Sequence, residues 1–208
     1  MLIWKIVVPL ATYLLGNFNS AIIFSWLIYR KDVREYGSKN AGTTNAFRTF
    51  GKGAGALVLV FDALKGIAAI LLAKCLLPGQ ELWAAVAGFC VTLGHIFPVV
   101  FKFKGGKGMA TSAGVLGAAQ PKVLLTLLAP FLLLCFGTRY MSLASVSVAM
   151  LSPLVTLAWN GWHPTPLFWA NLALAVLITF MHRENIKRLL NGTENKLFGK
   201  KKEGSEAK

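Results

Sequence analysis

Long apolar runs separated by short polar stretches set the pattern of this chain. Apolar residues dominate 2–28, with polar interruptions at Asn17, Asn19 and Ser20, and again roughly 56–77, 82–101, 108–120, 122–137, 142–160 and 166–181. A helix rises ~1.5 Å per residue, so about 20 apolar residues cross the ~30 Å of hydrocarbon in a bilayer. Most of the runs are long enough; the one at 108–120 falls short of a normal span. Its small residues, from Met109 through Ala110, Thr111, Ser112, Ala113 and Gly114, predict close approach by neighbouring helices. The first run has the length of a span and no small-residue cleavage site, so it reads as a helix and not as a signal peptide. The expected fold is all-α: one polytopic membrane domain over 1–198, followed by a basic flexible tail over 199–208.

The placement of charge predicts how these helices are oriented. If the chain crosses seven times with its C-terminus in the cytoplasm, eighteen of its 22 lysines and arginines fall on the cytoplasmic side. They lie in 29–55, in 102–107, at Arg139 and after residue 181. Lys5 and Lys122 lie outside, and Lys65 and Lys74 within a span. Were 108–120 not to cross, the later segments would invert and carry the C-terminal charges outside, against the positive-inside bias. Seven transmembrane helices are therefore expected, with the N-terminus outside and the C-terminus cytoplasmic.

Composition agrees with a membrane protein. A chain that is 55% hydrophobic and 14% charged, with mean hydropathy +0.59, would leave an aqueous globule badly exposed. The net charge of +14 raises nucleic acid as a partner. However, the basic residues sit in short clusters between apolar runs, so the expected partner is the lipid bilayer and not nucleic acid. Cys75, Cys90 and Cys135 lie inside apolar runs, odd in number and without disulfide or zinc spacing, and read as packing residues. No Asp, Glu or His cluster has metal-ligand spacing, so neither a metal nor a cofactor is expected. Asp62 and Lys65, three apart in the second span, are expected to pair inside the membrane. Oligomeric state is not readable from the pattern.

On this topology the polar stretches share the cytoplasmic side. The first, Gly37 to Gly53, supplies Ser38, Asn40, Thr43, Thr44 and Asn45, with Arg48 close behind. Thr43 to Phe50 suits a short helix whose N-terminal amides favour an anion. Taken alone, the stretch reads more simply as a Gly/Asn turn between helices. The second runs from His95 to Gly108 and sets Lys102, Lys104 and Lys107 among Gly105, Gly106 and Gly108. Glycine lets a backbone turn sharply and present its N–H groups, and lysine adds positive charge, which together suit a phosphate. It is not a Walker A loop, because Gly108 follows Lys107 and no strand precedes it. A basic patch attracted to anionic lipid would account for Lys102 and Lys104 but leaves the glycines unexplained. The third, His182 to Asn195, places His182 and Asn185 three apart on one helical face. Arg139 and Ser142 add a fourth, smaller piece.

Three of these stretches, in this order, resemble the bacterial acyl-phosphate:glycerol-3-phosphate acyltransferases, integral membrane enzymes of phospholipid synthesis. The matching residues are Gly37-Ser38-x-Asn40-x-Gly42-x-x-Asn45, then Gly94-His95-x-x-Pro98 with Phe103-Lys104-Gly105-Gly106-Lys107-Gly108. The third set is His182-Arg183-x-Asn185-Ile186-x-Arg188-Leu189 with Gly192 and Glu194. The resemblance implies a seven-helix enzyme of the bacterial cytoplasmic (inner) membrane, with its active site at the cytoplasmic face. It implies transfer of a fatty acyl chain from acyl phosphate to the 1-hydroxyl of glycerol 3-phosphate. By the same match, Ser38, Arg48 and Lys107 are phosphate-binding residues, with Asn40, Asn45, His95, Lys104, Gly105, Gly106 and Gly108 completing the substrate-binding set. Ser142, His182 and Asn185 are the groups around the reacting oxygen.

The residue chemistry is consistent with that expectation. Acyl phosphate is already activated, so neither an enzyme nucleophile nor a metal is required, and positioning with charge stabilisation can supply much of the rate. His95, His163 and His182 all lack an Asp five residues later, the pair found in many other glycerolipid acyltransferases. The proton of the attacking hydroxyl is expected to pass to the donor phosphate with His182 assisting, His182 as general base being the second choice. Two other readings compete. A transporter of a phosphorylated metabolite should show an inverted repeat and a midplane site, and neither is evident. A lipid-binding anchor explains the charges and leaves the glycines and asparagines idle.

Overall fold

Each apolar run folds as helix, and among the described residues there is no strand. The computed structural model describes residues 1–197; the tail expected over 199–208 lies outside the described residues. The α-helices are α1 (Leu2–Asn17), α2 (Ser20–Tyr29), α3 (Thr43–Phe50), α4 (Lys52–Leu76), α5 (Glu81–Ile96), α6 (Met109–Ala119), α7 (Pro121–Thr138), α8 (Met141–Trp159), α9 (Pro166–Met181) and α10 (Arg183–Leu190). Among the described residues, five stretches are long and apolar enough to cross a membrane: 2–29, 52–76, 81–101, 121–138 and 141–159. A sixth is reached if α9 and α10, bent by 57°, count as one.

The first run breaks where its polar residues stand. Asn19 caps α2 by accepting from the Ile22 amide at 3.1 Å, and Asn17 donates back to the Tyr13 carbonyl at 2.7 Å. Those side chains satisfy backbone groups that a break inside an apolar bundle would otherwise leave bare.

The short run of small residues is α6, and its packing follows the expectation. A Cβ on Gly114 would strike the Ala63 carbonyl of α4, and one on Gly66 the Thr111 carbonyl of α6. The two backbones are therefore in contact, a crossing that only small residues allow. Elsewhere α1 packs on α5, and α7 and α9 flank α8. The outer surfaces remain apolar, with Leu125, Leu133 and Phe136 of α7 exposed where lipid would lie.

A buried polar knot holds the interior together. Lys65 pairs with Asp62 at 2.8 Å, as expected, and donates to the Phe18 carbonyl at 2.8 Å and to His95 Nδ1 at 2.7 Å. The Ser20 hydroxyl donates to Asp62 at 2.7 Å. These bonds tie the α1–α2 break to α4 and α5. Two buried charges are tolerated in an apolar bundle because each is paired and hydrogen-bonded.

Candidate active site

Helices α3 to α10 and the loops beside them line a cavity of about 460 Å³. Its polar end is built from the stretches singled out in the sequence. Ser38, Asn40, Thr43, Thr44 and Arg48 come from α3 and the loop before it, Lys107 and Gly108 from the lead into α6, and Ser142 from the start of α8. His182, Asn185 and Glu194 come from the α9–α10 bend and the segment after α10.

Local structure explains how these groups are presented. The Asn45 side chain accepts from the Ser38 amide at 2.8 Å and donates to the Val33 and Tyr36 carbonyls at 2.9 and 3.0 Å. Asn45, expected to bind substrate, thus lines the cavity while its amide is committed to shaping the loop that carries Ser38. Gly42 begins α3 without a side-chain cap. The first-turn amides of Thr43 and Thr44, like those of Met109 and Ala110 in α6, have no backbone acceptor among the described residues. Two helix N-termini with free donors therefore open on one cavity, each a ready site for an anion.

Within the glycine loop, Gly105 and Gly106 are used for packing on the protein itself. Gly105 and Gly106 fold back on the end of α5, donating to the Ile96 and His95 carbonyls at 3.2 and 3.1 Å. A Cβ on Gly106 would strike the His95 ring. Neither residue lines the cavity, whereas Gly108, at φ 84°, does. Lys104 is exposed and outside the cavity, its carbonyl accepting from Arg34 at 3.4 Å. His95, near the end of α5, also lines the cavity. Because the Lys65 ammonium can only donate, His95 Nδ1 is the acceptor and the ring proton sits on Nε2.

His182 carries the opposite tautomer. Its Nδ1 lies 2.8 Å from the Ile178 carbonyl, which can only accept, so the neutral ring keeps a bare lone pair on Nε2. Asn185 stands between the cation and the anion of the site. Its Oδ1 accepts from the Lys107 ammonium and its Nδ2 donates to Glu194 at 2.7 Å. Glu194 also accepts from Ser142 at 2.9 Å and from Arg188 at 2.7 Å. In the sequence Glu194 shows only as part of a motif, one of two carboxylates, with Glu184, in the basic stretch from His182 to Asn195.

Electrostatics at this end favour a bound anion. Burial, opposed by Glu194 and reinforced by Arg188, Arg48 and Arg183, brings the Lys107 ammonium down to about 8. Burial likewise lowers the Arg48 guanidinium below its ordinary value. For Glu194 burial acts upward, but hydrogen bonds from Asn185, Arg188 and Ser142 hold it below the usual carboxylate range. Three cavity residues keep buried polar atoms without a hydrogen-bond partner: Thr43 Oγ1, Arg48 Nε and Ser112 Oγ. Orphaned buried donors of this kind mark where a polar ligand fits. The other end of the cavity is an apolar arm between α6, α7, α8 and α9, walled by residues such as Leu116, Leu127, Phe131, Val148, Leu174 and Ile178.

Comparisons with known proteins agree with this geometry. A model of the family described as glycerol-3-phosphate acyltransferase matches residues 6–192. A protein of Burkholderia pseudomallei (strain 1710b) named glycerol-3-phosphate acyltransferase is 43% identical over 195 residues, spanning 94% of this chain and 96% of its own. One from Burkholderia thailandensis with the same name is 41% identical over 191 residues, spanning 92% and 95%. The crystal structure of PlsY (YgiH), an integral membrane glycerol 3-phosphate acyltransferase, in its glycerol 3-phosphate form matches with TM-score 0.87 at 36% identity. That match covers 94% of this chain and 96% of that one. Its lysophosphatidic acid form matches with TM-score 0.84 at 35% identity, covering 94% and 95%. A multi-pass helical membrane protein whose motifs bring basic and polar residues to one cavity, this chain belongs to the glycerol-3-phosphate acyltransferase family.

Proposed function

We propose that the protein transfers a fatty acyl group from acyl phosphate to the 1-hydroxyl of glycerol 3-phosphate, releasing 1-acylglycerol 3-phosphate and inorganic phosphate. The observation that carries this reading is the form of the cavity: cations and two helix N-termini at one end, an apolar arm at the other. Two substrates each bear a phosphate and one bears a hydrocarbon chain, so both ends are used.

Ser38, Arg48 and Lys107, with the amides that begin α3, hold the glycerol 3-phosphate anion. The amides that begin α6 and the Ser112 hydroxyl suit the phosphate of the donor, whose chain enters the arm. The glycerol oxygen attacks the acyl carbon, the new ester C–O bond forms, and the bond from that carbon to the phosphate oxygen breaks. The hydroxyl proton goes to the departing phosphate, whose second pKa of about 6 makes it an acceptor near neutrality. His182 Nε2 accepts a hydrogen bond from the attacking hydroxyl and aims it. Asn185, fixed by Glu194, holds the Lys107 ammonium.

Seven crossings, with the N-terminus outside and this site at the cytoplasmic face of a bacterial inner membrane, are supported by the basic residues at 29–55, 102–107 and after 181. On that arrangement α6 crosses as a short helix sheltered by α4 and α7, consistent with its 11 residues. The test is turnover by the purified protein. Acyl phosphate with glycerol 3-phosphate should release phosphate and form 1-acylglycerol 3-phosphate, with or without EDTA. Acyl-CoA should be a poor donor. Preference for acyl-CoA, or phosphate release independent of glycerol 3-phosphate, would contradict the reading.

A further inference from the structure

The apolar arm ends at one level in four helices. Lining residues stop at Ser152 on α8, Asn171 on α9, Leu116 on α6 and Leu124 on α7. Just beyond that level runs a chain of polar groups. The Ser152 hydroxyl donates to Asn171 Oδ1 at 3.0 Å, and Asn171 Nδ2 donates to Thr156 Oγ1 at 2.8 Å. Thr156 in turn faces Gln120 Oε1, at the α6–α7 junction, at 3.5 Å. Ser152, Asn171 and Thr156 are 4%, 8% and 0% exposed, so the network is buried and its members satisfy one another.

We propose that Ser152 and Asn171 are the floor of the acyl subsite and set the longest chain the enzyme transfers efficiently; this rests on the reading that the arm holds the donor's acyl chain. A hydrocarbon tail cannot replace the partners of these groups. Pushing past them would leave buried donors and acceptors unpaired, which costs more than burying another methylene returns. The network also joins α8, α9 and the α6–α7 junction, so it cannot open by moving one side chain.

The depth suits a membrane lipid. From Ser142 at the polar end to Ser152 is ten residues of α8, or ~15 Å at ~1.5 Å per residue, half of a ~30 Å hydrocarbon core. One leaflet's acyl chain occupies that depth. Ala149 and Ala175, both in the wall about one turn above the floor, keep the bore open where a larger side chain would close it.

The experiment compares transfer from decanoyl, hexadecanoyl and octadecanoyl phosphate by the wild type, Ala149→Leu, Ala175→Leu and the double variant Ser152→Gly/Asn171→Ala. The readout is the ratio of kcat/KM between chain lengths within one preparation, so a lowered folded fraction cancels. Either leucine should reduce the hexadecanoyl-to-decanoyl ratio by about tenfold or more, since even one mismatched methylene in an apolar pocket is worth that much. The double variant should raise the octadecanoyl-to-hexadecanoyl ratio by about threefold or more on the same grounds. Ratios within about twofold of wild type in all three variants would overturn the proposal, because a chain that leaves the arm sideways into the bilayer ignores the floor. A wild type that transfers from none of the acyl phosphates would instead overturn the reading beneath it.

Discussion

Lys107 offers the sharpest test, because its proposed role requires a charge that its buried environment opposes. The ammonium sits at the polar end of the cavity, donates to Asn185, and has Arg48, Arg183 and Arg188 as like-charged neighbours. Burial is the main reason its pKa falls to about 8. A lysine with a lowered pKa is charged below that value and loses its proton as the pH rises through it. The profile of kcat/KM for glycerol 3-phosphate reports groups in the free enzyme and free substrate. It should rise through about 6 as the substrate becomes a dianion, level off, and fall above about 8. Beyond the break the slope is tenfold per pH unit, each unit being 1.36 kcal/mol, so the rate at about pH 9 is about a tenth of the plateau. Replacement by arginine, which stays charged throughout the range assayed, should remove the high-pH limb although the plateau drops, because a planar fork cannot repeat the ammonium's contacts. Lys107→Ala removes a charge-assisted bond altogether and should cost about 2–4 kcal/mol in kcat/KM at every pH below the break. Initial rates of phosphate release at low glycerol 3-phosphate, corrected for spontaneous hydrolysis of the donor, measure all three. A wild-type profile flat to about pH 10, or the same high-pH fall in Lys107→Arg, would refute the assignment.

Other expectations are as direct. Glu194→Ala should lower stability by about 2–6 kcal/mol, because the buried donors of Ser142 and Asn185 each lose an acceptor at about 1–3 kcal/mol, seen as a lowered midpoint of thermal unfolding in detergent. Glu194→Gln should keep the fold but move the high-pH break of kcat/KM below about 8, since Glu194 is the group that raises Lys107; an unmoved break would remove Glu194 from that role. His182→Asn or His182→Gln should keep measurable turnover in at least one case, because an amide can bond the attacking hydroxyl without acting as a base; loss of all turnover in both, with glycerol 3-phosphate binding intact by calorimetry, would make His182 the general base. Gly114→Val should cost about 3 kcal/mol or prevent folding, because its Cβ meets the Ala63 backbone and no side chain can move aside; near-wild-type unfolding would deny the α4–α6 contact. Single cysteines in 38–52 and 102–107 of a cysteine-free chain should react only from the cytoplasm, and one at Trp162 only from outside, outside labelling at 102–107 being enough to reject the topology.

How far the sequence alone reached depends on the range of the interaction that makes each feature. Helices were legible because a run of apolar residues carries its own signal, and α6 was legible as a tight-packing helix because its small residues are consecutive. The Asp62–Lys65 pair was visible for the same reason, both partners lying on one helical face three residues apart. Its third member, His95, was not, since the bond from Lys65 joins residues thirty positions apart on different helices. The break of the first run at Phe18 and Asn19 shows only as polar interruptions; what makes it tolerable is the cap at Ile22 and the Lys65 bond to the Phe18 carbonyl. The site divides the same way. Ser38, Arg48, Lys107, Ser142, His182 and Asn185 all come to one cavity, yet Glu194, which links Ser142, Asn185 and Arg188, shows in the sequence only as a motif member, because neither it nor Glu184 stands at a spacing that marks these partners. The glycines are the instructive case. In sequence, Gly105 and Gly106 beside lysines suggest exposed amides wrapped around an anion, a job the first turns of α3 and α6 are better placed to do. In the fold those two glycines give up their amides to the end of α5 and their missing side chains to the His95 ring. Absence of a Cβ serves close packing as well as it serves ligand approach, and a single sequence cannot tell which neighbour comes close. What separates the two is the bond partner of the amide, and for Gly105 and Gly106 that partner is protein.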